Sequence, residues 1–295
     1  MSTDLLSTRG LTAPLGVIRD RLAHELFARV AGPEGPARRD RIATAPGPRW
    51  FDDDQPIREV HGDAAMFVGG LRALLFQSLH PVAMAAVTAH SGFRSDPWGR
   101  LHRTSHFLAV TTFGAADDAE AMVAKVRAIH QRVRGRTADG VPYAASDPHL
   151  LKWVHLAEVD SFLLAHTTYG RRPLEGASRD AYVAGTARVA RALGVVDPPL
   201  TEAELCDQLA AYRAELRGTK EARQAARFML VNPPIPLALR PGYGVLAAAA
   251  VALMPAWSRW PLRLPYFPLT ERVAVRAAGN ALTSTIRWAL APRSA

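Results

Sequence analysis

One cysteine in 295 residues, Cys206, excludes an internal disulfide and any cysteine-rich zinc or iron–sulfur site. A metal would have to be held by histidine, a carboxylate or a bound cofactor. Alternating strand patterns are scarce, and no glycine-rich phosphate loop is present: Gly69–Gly70 and Gly242–Tyr243–Gly244 lack both the spacing and the preceding strand. Gly-x-Ser-x-Gly is missing, which argues against an α/β-hydrolase, and no Glu-x-x-His pair offers a carboxylate-bridged di-iron site. The longest apolar run, Val245 to Trp257, is thirteen residues and too short to cross about 30 Å of hydrocarbon, so it reads as a buried helix. The N-terminus has no basic stretch followed by an apolar one, which predicts a cytoplasmic protein without an export signal.

What is present is a chain that is 48% hydrophobic and 21% charged, with a net charge of +9. Arginine dominates the basic residues but forms no run interleaved with aromatics, so nucleic acid is not expected as a partner. Ala, Leu, Arg and Val in segments punctuated by Pro and Gly predict an all-α fold in one large domain. Helices are expected near 15–31, 57–79, 81–91, 98–113, 116–134, 147–169, 178–193, 201–217, 219–231, 243–253 and 268–291. Asp117 and Asp118 are candidate caps for the 116–134 helix and Gly135 its stop; Ser178 and Thr201 are candidate caps further on, the latter as the capping box Thr201-Glu202-Ala203-Glu204. The proline-rich segment from Gly32 predicts a loop, so residues 1–56 read as an N-terminal helix and arm and 57–291 as the functional domain. Arg259 and Arg263 mixed with Trp260, Tyr266 and Phe267 make peripheral membrane contact conceivable.

The chemistry concentrates between Gly69 and Gly135. Five of the ten histidines fall there, near Arg100, Arg103 and Thr104 and within two apolar helical patterns. An iron porphyrin needs such a set: an axial imidazole, cations for its propionates and an apolar pocket. His130 adjoins the stripe Met122, Val126, Ile129 and Val133, and His155 has a similar claim with Glu158 one turn on to orient a ring nitrogen. Spacing does not choose between them. Arg100 and Thr104, four apart, share a helix face and can address one ligand, although an exposed arginine face would use the same residues.

The pattern GGLRALLFQSLHPVAMAAVTAHSGFRSDPWGRLHRTSHFLAVTTFG, followed by VRAIHQRVRG and YAASDPHLLKWVHLAEVDSFL, resembles the MpaB/rubber-oxygenase catalytic domain family over roughly 57–291. That family includes bacterial latex-clearing proteins and a fungal oxygenase that cleaves a prenyl side chain. The resemblance implies a globin-like core around one haem b, with His130 as axial ligand downstream of an Arg-x-x-Lys-Thr motif matched here by Arg100 to Thr104. It makes Arg100 and Thr104 haem-pocket residues, and Arg103 and Thr104 candidates to hydrogen-bond bound oxygen. It departs at Arg103, which replaces the motif's lysine, and in HPVAMAAV, where the latex-clearing enzymes have an acid. The implied activity is oxidation of a small lipophilic substrate, isoprenoid or polyketide-like, by dioxygen with an unspecified reductant, the walls formed by Leu74, Leu75, Phe76, Val82 and Phe107. A gas-binding haem protein and a haem-free helical binding module are the rival readings.

Overall fold

The computed structural model describes residues 9–92 and 94–291; the reading of the extreme N-terminus as free of an export signal falls mostly on residues outside these. Prolines open many of the helices, although Pro261 lies inside one. In order the helices are α1 Arg9–Ala31, α2 Gly35–Thr44, α3 Pro56–Gly62, α4 Met66–Gln77, α5 Pro81–His90, α6 Pro97–Phe113 and α7 Ala116–Arg132. After a two-stranded hairpin come α8 Pro148–Tyr169, α9 Ala177–Leu193, α10 Glu202–Ala211, α11 Lys220–Val231, α12 Arg240–Ala252, α13 Ala256–Leu262, α14 Pro268–Thr270 and α15 Arg276–Leu290. Seven of these helices, α2, α3, α5, α6, α8, α12 and α14, have proline at the first or second position, where the missing N–H has no intrahelical partner to lose. The all-α, single-domain expectation holds.

Several local expectations are corrected. The stretch after Gly32 is not wholly a loop: α2 forms because Pro36 sits in its first turn, and Arg38 pairs with Glu34 at 2.7 Å. The predicted helix 57–79 breaks at Asp63, whose carboxylate accepts the Ala65 N–H at 2.7 Å and pairs with Arg287 at 2.8 Å. Two short helices replace one because the carboxylate competes for backbone donors and is anchored by α15. The α7 helix ends at Arg132, and Gly135 lies instead in strand β1, Arg134–Arg136, paired antiparallel with β2, Pro142–Ala144. Neither Asp117 nor Asp118 caps α7, since Ala115 occupies that position; they lie in its first turn, where negative charge favours the helix dipole. Gly176, at φ 48°, and not Ser178 starts α9, because the entering backbone takes a left-handed turn that glycine adopts cheaply. Thr201 does cap α10 through the Glu204 N–H, while Glu204 reaches back to the Leu200 N–H at 2.7 Å.

The core is built around α8. Leu150, Trp153, Leu156, Ala157, Val159, Phe162 and Leu163 are all buried along it. The α4 helix lies against α8 closely enough that a Cβ on Gly69 would stand 3.0 Å from the Phe162 ring and 3.1 Å from the Ser161 carbonyl. A larger residue there would press its neighbours back by a few tenths of an ångström. Arg72 completes this contact: it is 1% exposed, pairs with Asp160 at 2.7 Å, and donates to Ser161 Oγ at 2.6 Å and to the Leu253 carbonyl at 2.9 Å. It ties α4 to α8 and to the end of α12. The α12 helix buries Ala247, Ala249, Ala250 and Val251, as the apolar run predicted. No single helix among the described residues is long and apolar enough to cross a membrane; α12 with the preceding turn and α13 pass together by composition but are bent by 120°.

Candidate functional site

The α8 helix turns one face to the core and carries His155 and Glu158 on another. Glu158 hydrogen-bonds the Gln77 side chain, at the end of α4, and feels the charge of Arg100, in the first half of α6. Burial pushes its carboxyl up to about 7, with the Gln77 side chain and the Arg100 charge drawing it back. A carboxyl with that value exchanges its proton near neutrality, which is what an acid–base group requires. Gln77 is itself fixed, because its carbonyl accepts the Trp153 Nε1–H at 3.1 Å and its amide donates to the Val154 carbonyl at 3.4 Å. Arg100 is partly buried, and its guanidinium donates to the Ser91 hydroxyl at 2.9 Å. Its guanidinium makes no hydrogen bond to a carboxylate among the described residues.

Both sequence-predicted imidazoles are partly buried. Burial lowers His130 from its ordinary value and lowers His155 to about 4, with Lys152 adding to the latter, so both rings are neutral and able to donate a lone pair to a metal. His130 Nδ1 and His155 Nε2 are each enclosed without a hydrogen-bond partner. The remaining nitrogen of His130, Nε2, is not enclosed and makes no hydrogen bond among the described residues. On α4, Gly70 has nothing within 4 Å of where a Cβ would stand, and Leu74, one turn on, is 37% exposed. Space beside that face is therefore open to a flat or lipophilic group.

The other predicted residues lie differently. Arg103 is exposed and pairs with Asp96, the cap of α6, at 3.2 Å. It lines a surface hollow of about 410 Å³ with His102, His106, Lys125 and Arg38, a hollow that does not include His130, Arg100 or Glu158. Thr104 is exposed on the Arg100 side of α6, and its hydroxyl has no protein partner among the described residues. No direct hydrogen bond or ion pair joins His130 to Arg100, Arg103 or Thr104. Leu75 and Phe76, expected as pocket walls, are instead core residues, Phe76 packing against Trp153 with centroids 5.4 Å apart.

Outside this region His80, His149 and Glu215 bring one ligand atom each within 4.8 Å of one another, a set able to hold a divalent cation. As it stands, protons serve. Tyr212 donates its hydroxyl hydrogen to the His149 carbonyl at 2.8 Å and so accepts from His149 Nδ1 at 3.1 Å, while His149 Nε2 and His80 Nε2 face the Glu215 carboxylate at 2.9 and 3.2 Å. His80 Nδ1 accepts the Ala83 N–H, so its Nε2 carries the hydrogen.

A family model described as "ER-bound oxygenase mpaB/B'/Rubber oxygenase, catalytic domain" matches residues 58–288. The chain belongs to this family. The matched span of this mpaB/rubber-oxygenase domain contains Arg100, Thr104, His130, His155 and Glu158. Two relatives, uncharacterized proteins of Mycobacterium bovis and Mycobacterium tuberculosis, are each 34% identical over 100 residues, covering 34% of this chain and 38% of theirs. No solved structure matches. An oxygenase family points to a metal or haem cofactor. The residue types that haem requires are present: a neutral imidazole with an unenclosed Nε2 at His130, the Arg100 guanidinium, which hydrogen-bonds only a hydroxyl and feels the charge of Glu158, and the open face of α4 at Gly70 and Leu74. Glu158 is the residue whose role the sequence understated. Its spacing to His155 was visible, but its interaction with the Gln77 side chain and with the charge of Arg100 arises only when α4, α6 and α8 assemble.

Proposed function

We propose that this domain is a haem-b-dependent oxygenase acting on a small lipophilic substrate, isoprenoid or polyketide-like, with dioxygen and an external reductant. The observation that carries this reading is the family match over 58–288, which encloses the residues suited to hold haem. His130 would hold the haem iron through Nε2, and Arg100 would hold a propionate with a charge-assisted bond. When bound, the haem supplies activation of dioxygen. The chain's own part is acid–base and steric. Glu158, poised about 7, can hold or release a proton beside Arg100, and Arg100 favours the carboxylate form after release. Thr104 has a hydroxyl free for a polar atom of oxygen or substrate, and Arg103 is available from its exposed position at the cost of a weak surface pair with Asp96. Gly70, Leu74 and Phe107 offer apolar surface to a hydrocarbon chain.

Haemin titration of the purified protein tests the assignment. The wild type and His155→Ala should each develop a Soret band and a pyridine haemochrome of one haem per chain, whereas His130→Ala should lose stoichiometric binding while keeping its helical circular dichroism. Loss in His155→Ala alone would move the ligand to α8. No Soret band in any of them would overturn the haem reading.

A further inference from the structure

The arginines are spread along the chain, but the acids are not. Between Ala222 and Ala291 there are eight arginines and a single acid, Glu271. Glu271 does not face outward: it pairs with Arg259 at 2.6 Å, the two side chains being 13% and 4% exposed, and it accepts the Phe267 N–H at 3.0 Å. Arg259 also donates to the Met254 and Ala252 carbonyls at 3.0 and 2.8 Å and lies 4.9 Å over the Tyr266 ring, so the end of α12 and the segment after α13 are clamped on one buried cation. That clamp holds the apolar side chains of the segment outward. Trp260 is 88% exposed, Tyr266 55%, Phe267 64%, Leu269 79% and Val273 73%. Leu269 and Val273, four apart, fall on one side of the helical turn.

Cations frame this patch. Arg263, Arg272 and Arg276 are exposed and have no carboxylate partner among the described residues. Arg263 keeps a φ of 57°, a conformation glycine would adopt more cheaply, so a cation stands where the backbone favours no side chain. We propose that this face docks on the surface of an anionic phospholipid membrane. Aromatic and aliphatic side chains enter the headgroup boundary, and the unpaired arginines meet phosphates, each adding about fivefold to partitioning. A second copy of the chain would bring these arginines against their own kind. Nucleic acid would use the charges but leave the apolar side chains in water.

Cosedimentation of the full chain with vesicles tests the proposal, comparing phosphatidylcholine alone with vesicles holding about one third phosphatidylglycerol at low and high salt. The chain should bind the anionic vesicles selectively. Binding should fall at least about tenfold in Trp260→Ser/Phe267→Ser, and by about twenty-fivefold in Arg263→Gly/Arg272→Gln, from the per-arginine gain above. Val196→Ser, which removes an equally exposed side chain (64%) elsewhere, should bind like the wild type. Circular dichroism of each variant keeps loss of folding distinct from loss of docking. The proposal is overturned by absence of binding to anionic vesicles, or by binding that ignores both double variants. It is equally overturned if the apolar double variant abolishes only self-association in solution, or if the chain prefers duplex DNA and only the arginine variant matters.

Discussion

Glu158 is the residue at which burial and function pull against each other. Its folded carboxyl titrates about 7, against an ordinary 4.5. Below the lower value both folded and unfolded chains hold the proton and the group is silent. Between the two, the unfolded chain releases a proton the folded one keeps, so stability declines as pH rises and levels off above about 7. The decline belonging to this group is on the order of 3 kcal/mol. Urea unfolding of wild type and Glu158→Gln across that window should show the slope reduced in the variant; equal slopes would mean the carboxyl is solvated. None of this was legible from spacing, because the upward shift comes from burial in the folded chain, and Gln77 and Arg100, which draw it back, are far away in sequence. His130 was legible only as one of two candidates until the family pattern weighed in. Arg103 was legible as a cation near the motif, and its pairing with Asp96 follows from Asp96 being the cap of its own helix.

Among elements, the long apolar or strongly capped helices were legible, and their interruptions were not. Periodicity located α6, α8 and α11 within a few residues, because one face of each is apolar. The break between α3 and α4 depends on Arg287, in the last turn of α15, which no local pattern reveals. The hairpin was missed because two three-residue strands carry too little alternation to register. Arg72 was read as part of an apolar helix and proves to be the joint of α4, α8 and α12. Arg72→Ala leaves Asp160 and Ser161 without their cation and should cost about 3–5 kcal/mol, whereas Arg72→Met keeps the bulk and should cost less. Thermal unfolding followed by circular dichroism compares them. Equal, small losses would show that the buried pair contributes little to the joint.

At the scale of the whole molecule, the all-α class was legible from composition, and the position of the chemistry from one family-like stretch; the open side of the assembly and the one-sided charge had to be seen in place. One further property belongs to the whole chain. Seven helices open on proline at a position where no hydrogen bond is forfeited. Each ring holds φ fixed before folding begins, so its effect is felt mainly in the disordered ensemble. Replacing one such proline by alanine should lower stability by about 0.4–1 kcal/mol, and all seven together by about 3–7 kcal/mol if they add. Differential scanning calorimetry of the multiple variant should show the loss in the entropy of unfolding, with the enthalpy nearly unchanged. Part of this protein's stability thus resides in the restricted freedom of the chain it unfolds to.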